Sequence, residues 1–382
     1  MVREMDFLLN EDQKAIKTMT RDFVDQEIIP LAREYDEKEE FPFEIHNKLR
    51  EVGLYNFALP EEFGGPGIDK ISHALIVEEL ARGCAGITTS VEANSLASYP
   101  ILVGGTEEQK KKYFGIIANG GYSAFALTEP SAGSDVAGLK TAVERVGDEY
   151  ILNGEKCFIT NASYAHYYTV LAKLKSSEGS NKFVALIVDR ESDGVSVGPH
   201  EKKMGLRSSN TASVTFDEVR VPVGNRLGEE GDGFKIFMKA LSYARPMVGA
   251  QALGIAQGAY EEALNYAKER KQFGKPIANF QAIQFMLADM AMEVEAARLL
   301  VYKAVWHVQE GTPNMRASSF AKCFASDTAM KVATDAVQIH GGYGFIREYA
   351  VEKYFRDAKI MQIYEGTNQI QRVVIAKDIL AD

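Results

Sequence analysis

The sequence predicts a mostly helical α+β protein of three domains: an N-terminal helical domain (residues 1–120), a middle β-barrel domain (121–228) and a C-terminal four-helix bundle (229–382). Three observations carry that expectation. With 382 residues, the chain is too long for one ordinary hydrophobic core. Near residue 121 the pattern changes from apolar residues at helical spacing to short apolar runs separated by turn residues. Near residue 231 it changes back, and the helical runs become long.

In the first domain Asn10 and Gln13 have the spacing of a capping box. Ile16, Met19, Phe23, Val24 and Ile28 then recur on one helical face, and Pro30 predicts the end of that run. Residues 63–67, Phe-Gly-Gly-Pro-Gly, read as a loop, and two further helices are expected over 72–82 and 106–117. In the second domain Tyr150-Ile151-Leu152 leads into Asn153-Gly154, which predicts a hairpin turn. Residues 183–188, 213–216 and 219–221 read as strands, in a small barrel or sandwich. In the third domain helices are expected over 234–271, kinked at Pro246, and over 280–310. A third is expected over 317–339, stopped by Gly341-Gly342, and a last one from the N-cap Thr367 to Leu380. Four such helices predict an antiparallel bundle.

The composition narrows the function classes. Hydrophobic residues make up 46% and charged residues 25%, as in ordinary globular proteins. No apolar run reaches the ~20 residues of a membrane span. Arg3, Glu4 and Asp6 in the first ten residues do not fit a signal peptide. The chain therefore reads as cytoplasmic, or as the mature form of a mitochondrial matrix protein whose transit peptide is gone. A net charge of −10 argues against a nucleic-acid surface. Cys84, Cys157 and Cys323 are too far apart to suggest a zinc knuckle or a disulfide framework. His46, His73, His166, His200, His307 and His340 show no metal-ligand spacing, so no metal is expected. A glycine-rich dinucleotide fingerprint, a phosphate loop, HExxH and GxSxG are all missing.

Four stretches remain to be explained. Residues 125–135, from Phe125 to Asp135, run from an apolar strand into small hydroxyl residues and glycine. Such a loop lets backbone N–H groups approach an anion or a flat ring, or is simply a strand ending in good turn residues. Phe158 and Thr160 stand two apart on an expected strand and so share a face, suited to a stacking ring and a hydrogen bond on one flat ligand or to one buried Phe. Residues 269–277 put Arg270, Lys271 and Lys275 at a helix C-terminus, where the helix dipole favours cations. An exposed Arg270 and Phe273 at that turn could equally reach a neighbouring subunit. The fourth stretch joins 338–344 to Ile363-Tyr364-Glu365-Gly366-Thr367. Glu365 precedes a helix start, where the dipole favours the carboxylate, while its apolar neighbour Ile363 favours the acid. That balance suits a base that holds and loses a proton near neutral pH, although a carboxylate at a helix start is also common.

Taken together and in order, these stretches resemble the acyl-CoA dehydrogenase family, and the short- and medium-chain members above all. The motifs are residues 127–135 (Leu-Thr-Glu-Pro-Ser-Ala-Gly-Ser-Asp), 158–161 (Phe-Ile-Thr-Asn), 270–274 (Arg-Lys-Gln-Phe-Gly), 338–342 and 363–371, and the match runs from about Phe7 to Leu380. The resemblance implies non-covalent FAD. Phe125, Leu127, Thr128, Ser134, Phe158, Ile159 and Thr160 would hold the flavin ring and pyrophosphate. Arg270, Gln272, Phe273, Gln281, Gln338, Ile339, Gly341 and Gly342 would meet FAD across a subunit boundary, and Thr367, Asn368 and Gln369 would complete the site. That boundary implies a homo-oligomer, a tetramer in this family.

The resemblance also implies a mechanism. Glu365 would take the α-proton of an acyl-CoA while a hydride leaves the β-carbon for FAD, giving a trans-2-enoyl-CoA. The thioester carbonyl would be held by a flavin ribityl hydroxyl and the Glu365 N–H, as in an oxyanion hole. Electrons would pass to an electron-transfer flavoprotein. Ser134, Ser242, Tyr243, Arg245, Tyr364, Gly366 and Glu92 would frame the CoA and acyl portions. Ala244 stands where long-chain and isovaleryl-type relatives place their base, which leaves Glu365. Glu92 resembles a glutamate deep in the medium-chain acyl pocket. It either ends a helix, favours an unusual acyl group, or acts as a second proton acceptor. Phe158 replaces the Trp of medium-chain relatives, as short-chain relatives also do. The acyl group implied is short or medium, cyclic and branched chains included. The same chemistry run backwards, as an enoyl-CoA reductase, is the alternative enzyme. A flavin-free structural paralogue is the non-enzyme alternative, disfavoured by Glu365 and the flavin motifs.

Overall fold

The structure is a computed structural model and describes residues 8–175 and 183–381. The expectation drawn from Arg3, Glu4 and Asp6 lies outside the described residues. Among the described residues no helix is long and apolar enough to cross a membrane.

The N-terminal part is helical: α1 (Glu11–Phe23), a π-helical turn (Val24–Ile28), α2 (Ile29–Lys38), α3 (Phe43–Glu51), α4 (Lys70–Gly104) and α5 (Glu107–Ala118). The capping box at Asn10 and Gln13 forms as expected. Pro30, by contrast, does not end the run. It sits in the first turn of α2, where a missing N–H costs nothing, and the chain stays helical to Lys38. The helix expected over 72–82 is the start of the 35-residue α4, which passes a single non-helical residue, Cys84 (φ −160°, ψ 106°), and continues to Gly104. From Ser72 to Ile101 nearly every α4 residue is buried, the charged Glu78, Glu79 and Arg82 included, so the helix is enclosed by the rest of the chain.

Eight strands follow in one hydrogen-bonded sheet: β1 (Ser123–Ala126), β2 (Ala142–Val146), β3 (Glu149–Thr160), β4 (Tyr167–Leu174), β5 (Phe183–Asp189), β6 (Val195–Val197), β7 (Thr211–Pro222) and β8 (Arg226–Leu227). The strand order is β6-β7-β3-β2-β4-β5-β8, with β1 paired parallel to β4. The rings of Tyr168 on β4 and Phe216 on β7 are 6.4 Å apart although their strands are three steps apart in the sheet, about 14 Å if it were flat. The sheet therefore curls over its own core. β4 and β5 are buried on both faces because α4, α5 and a later helix cover the outside. The hairpin expected at Asn153-Gly154 lies elsewhere: Gly147 (φ 61°) and Asp148 make the turn between β2 and β3. Asn153-Gly154 instead marks a register shift within β3, where Asn153 exchanges hydrogen bonds with Glu218.

The C-terminal part contains α6 (Gly233–Glu269), a two-stranded ribbon of β9 (Lys271–Gln272) and β10 (Lys275–Pro276), α7 (Gln281–Gln309), α8 (Met315–His340), α9 (Val351–Met361) and α10 (Asn368–Ile379). α6 runs on through Pro246. α9, whose buried Val351, Tyr354, Ala358 and Met361 repeat at helical spacing, had not been anticipated. α6 packs directly on α4. A Cβ at Gly254 would stand 2.2 Å from Glu78 O, so only glycine permits that approach.

Candidate active site

A cavity of about 490 Å³ opens between α4, the edge of the sheet, α6 and α10. It brings together residues from all the stretches singled out above except 269–277 and 338–344: Phe125, Leu127, Thr128, Ser134, Phe158, Ile159, Thr160, Arg245, Tyr364, Glu365, Gly366 and Glu92 all line it. Leu96, Leu241, Val248 and Ile370 supply apolar wall.

Glu365 lies in the closed loop between α9 and α10. Ile363 N–H donates to Ile360 O (2.8 Å) and Asn368 N–H to Gln362 O (3.0 Å), so 363–367 is a short tight link. Its closure forces left-handed backbone at Glu365 (φ 51°) and Gly366 (φ 94°). Tyr364 ties the link to the rest of the molecule. Its hydroxyl donates to Gln251 Oε1 (2.9 Å), and Gln251 Nε2 donates to Ala85 O and Thr89 Oγ1 on α4. The carboxylate Oε2 of Glu365 is buried without a hydrogen-bond partner, as is Nη1 of Arg245, whose Nε lies 3.5 Å from Glu365 O. No acceptor in the described chain meets the Glu365 N–H. Burial raises the Glu365 carboxyl to about 7; Arg245 and Lys322 pull against that rise, and Glu92 adds to it. A carboxylate that gains and loses its proton near neutral pH thus faces the cavity with an unused oxygen.

The sheet side of the cavity is stiffened from behind. Buried Lys156 on β3 donates to Glu129 Oε1 (2.8 Å) and Leu127 O (3.0 Å), and Glu129 also accepts from the Lys140 and Thr141 N–H groups (2.5 and 3.0 Å). Those donors hold the Glu129 carboxyl below the ordinary carboxylate range, although burial opposes them. The loop 127–135 is therefore locked to β3. Phe158 and Thr160 do not share a face by simple alternation. Phe158 has φ 57° and sits in a register shift between Lys156 and Ile159, so the strand bulges and turns the Phe158 ring outward, 67% exposed.

The remaining expected residues lie elsewhere. Arg270, Gln272, Ile339, Gly341 and Gly342 line a second cavity of about 500 Å³, with Tyr266, His340 and Tyr343. Phe273 stands beside it, 92% exposed. Gln281 opens α7 and Gln338 lies near the end of α8; neither lines a described cavity. Ser242 is buried and donates to Lys239 O, and Tyr243 stacks on Tyr99, so neither reaches the cavity wall. Thr367 caps α10 through Ile370 N–H (3.2 Å), and Gln369 is exposed. Asn368 turns inward and uses its amide on Lys322, Ser326 and Asp327.

Sequence reasoning missed Gln251, Tyr99 and Lys322. Lys322 had a visible signal: it falls on the stripe of small residues of α8, with Ser318, Ala325 and Ala329, where a lysine is out of place.

These residues fit FAD. A flat ring system needs an exposed aromatic and hydroxyls on one wall, which Phe158, Thr128 and Thr160 supply. Its phosphates need open backbone, and a Cβ at Gly133, Gly341 or Gly342 would meet nothing within 4 Å.

Comparison with known proteins points the same way. Family models match along the chain: acyl-CoA dehydrogenase N-terminal domain (residues 10–121), middle domain (124–219) and C-terminal domain (231–380). A probable acyl-CoA dehydrogenase of Bacillus subtilis (strain 168) is 47% identical over 98% of this chain and 100% of its own. Among solved structures, a chain from work on the electron transferring flavoprotein of Acidaminococcus fermentans and flavin-based electron bifurcation superposes with a TM-score of 0.95 at 48% identity, covering 99% of this chain and 100% of that one. Butyryl-CoA dehydrogenase from Megasphaera elsdenii also gives 0.95, at 44% identity over 98% and 100%. An acyl-CoA dehydrogenase complexed with FAD from Bacillus anthracis gives 0.92, at 37% identity over 100% and 70%.

Proposed function

Because the chain belongs to the acyl-CoA dehydrogenase family, flavin-dependent oxidoreductases that use FAD, we propose that it oxidises a short or medium acyl-CoA, cyclic or branched chains included, with Glu365 as the base. The product is the trans-2-enoyl-CoA. The observation that carries this reading is the Glu365 carboxylate: buried, unpaired at Oε2 and poised near neutral pH.

The thioester carbonyl accepts a hydrogen bond from the free Glu365 N–H, which stabilises charge on that oxygen as the α-proton leaves. The proton goes to Oε2 of Glu365. The C–H electron pair becomes the new C=C bond as the β-hydrogen departs with its own pair. FAD, when bound, supplies the acceptor for that hydride. Thr128, Thr160 and Phe158 would hold and orient the flavin ring, while Leu96, Leu241, Val248 and Ile370 keep water from the acyl chain. Likeness to butyryl-CoA dehydrogenase supports an aliphatic substrate at the short end.

Electrons then pass to an electron-transfer flavoprotein, a partner suggested by the setting of the Acidaminococcus chain. That setting also favours a second reading, the same chemistry run as an enoyl-CoA reductase fed by such a flavoprotein. A homo-oligomer, a tetramer by analogy with the family, is supported by Phe285, Met292 and Leu299. They are exposed at seven-residue spacing along one face of α7.

The test is anaerobic. Acyl-CoAs of graded length should bleach the flavin of the purified protein, and Glu365→Gln should keep its yellow colour yet not bleach. If no saturated acyl-CoA bleaches the wild type, the dehydrogenase direction is wrong. If Glu365→Gln bleaches normally, the base is elsewhere.

A further inference from the structure

A lysine buried in a helical core calls for an account. Lys322 is fully buried on α8, where an ammonium would be costly without partners. Its Nζ donates to Gly366 O (2.9 Å), the carbonyl of the residue after Glu365, and to Asn368 Oδ1 (2.9 Å). Asn368 is held in turn by Asp327 Oδ1 (2.7 Å), Ser326 Oγ (2.9 Å) and Cys323 O (3.3 Å). Asp327 is bound by Gln362 (2.7 Å) and Arg372 (2.8 Å), one on each side of the link. Gln371 Nε2 donates to the same Gly366 carbonyl (2.9 Å). Every one of these bonds converges on residues 362–372, and Lys322 is the cation at their centre.

We propose that Lys322 is a positioning residue for Glu365: it fixes the 363–367 link in its left-handed form through the Gly366 carbonyl, and its charge keeps the Glu365 carboxylate available as a base. The inference rests on Glu365 being that base. The charged and titratable groups around Glu365 are few. Glu92 and Tyr99 face it from α4, Arg245 from α6 and Lys322 from α8, where Cys323 and Asp327 stand beside Lys322; Tyr364 adjoins it, and Lys377 and Arg372 belong to α10. Arg372 is spent on Asp327, and Lys377 lines the cavity near the far end of α10. Arg245 and Lys322 are the two cations that act directly against the burial of Glu365. Of these two, only Lys322 is bonded to the carbonyl of Gly366. Its own ammonium is pushed down to about 8 by burial, with Glu365 the largest opposing influence, so the two groups are coupled in both directions.

The readout isolates the proton step. With the flavin of the holoenzyme reduced beforehand, no hydride can be accepted, and exchange of the acyl-CoA α-hydrogen into D2O, followed by mass spectrometry, reports the base alone. In the wild type, exchange should rise with pH through a midpoint set by Glu365. Lys322→Gln keeps a donor and removes the charge, so the midpoint should move up by about one pH unit. Lys322→Arg keeps the charge and should leave the midpoint in place while lowering the plateau. A Gln variant with the wild-type midpoint overturns the inference. So do Gln and Arg variants whose midpoints shift together, since that pattern marks a merely structural lysine. Should the Gln variant not fold, Asn368→Asp sets an opposing charge beside Nζ and must raise the midpoint; an unshifted Asn368→Asp protein also overturns the inference. Glu365→Gln is the control. Exchange that persists in it shows that the base assignment has failed, separately from the role of Lys322.

Discussion

At Glu365 two effects oppose. Burial favours the neutral acid, and two cations favour the carboxylate, leaving a folded value of about 7 against about 4.3 in an unfolded chain. The folded state therefore holds this proton more tightly than the unfolded one. The stabilisation this gives is complete below about pH 4.3 and is lost as pH rises through 7. Glu365→Gln cannot ionise and escapes that loss. Its melting temperature should pull ahead of the wild type between pH 5 and 7 and hold a constant lead above 7, by calorimetry on both holoproteins. A lead that does not change with pH would mean that Glu365 ionises freely in the fold. The sequence could suggest this residue, because Ile363, Gly366 and the Thr367 cap stand beside it. The forces that set its proton were harder to read. Arg245 is 120 positions upstream and Lys322 is 43, and only the packing of α6 and α8 brings them to the link.

Among elements, the loop 127–135 depends on a buried ion pair. Removing one partner of such a pair leaves a lone charge in the interior and costs about 3–5 kcal/mol, whereas removing both costs far less. Glu129→Ala should therefore lower the denaturant midpoint strongly and release FAD. Glu129→Leu with Lys156→Met should recover most of the stability but not the FAD affinity, because Leu127 O loses its donor as well. Equal losses in the single and double variants would show that the pair does not act as a unit. Element ends were legible where local chemistry sets them, as at Asn10 and Thr367, each an N-cap with a side-chain bond to the first turn. They were illegible where tertiary contacts override local signals. Gly83, Cys84, Gly86 and Pro100 argue against a helix of 35 residues, yet α4 is enclosed on all sides and the packing carries it through. Asn153-Gly154 has hairpin chemistry, but the strand pairing of β3 with β7 uses it as a bulge.

For the whole molecule, those expected site residues that line a described cavity fall into two cavities rather than one. The first holds Glu365, the 125–134 stretch and 158–160; the second holds Arg270, Gln272 and 339–342. In the homo-oligomer proposed above, both sets would meet one FAD, the second set coming from another copy. Met292→Glu with Leu299→Glu on the exposed face of α7 should then break the assembly on size-exclusion chromatography with light scattering, and FAD should be lost with it. An intact oligomer, or a monomer that keeps FAD fully, would argue against that arrangement. The three-part architecture was readable from period alone, because the spacing of apolar residues reports which partner a segment packs against. The assignment of Arg270, Gln272 and 338–342 to a subunit boundary came only through the family resemblance, since the spacing of apolar residues carries no record of which copy a motif serves.

The left-handed backbone at Glu365 sets the fold and the reaction against each other. A glutamate there costs of order 1 kcal/mol that glycine would not. Its buried carboxylate adds a penalty at neutral pH that a neutral side chain would avoid. Selection for folding alone would remove this residue. With Glu365 as the proposed base, turnover would be what keeps it, and position 365 would be the first to drift in any lineage that ceased to use the enzyme.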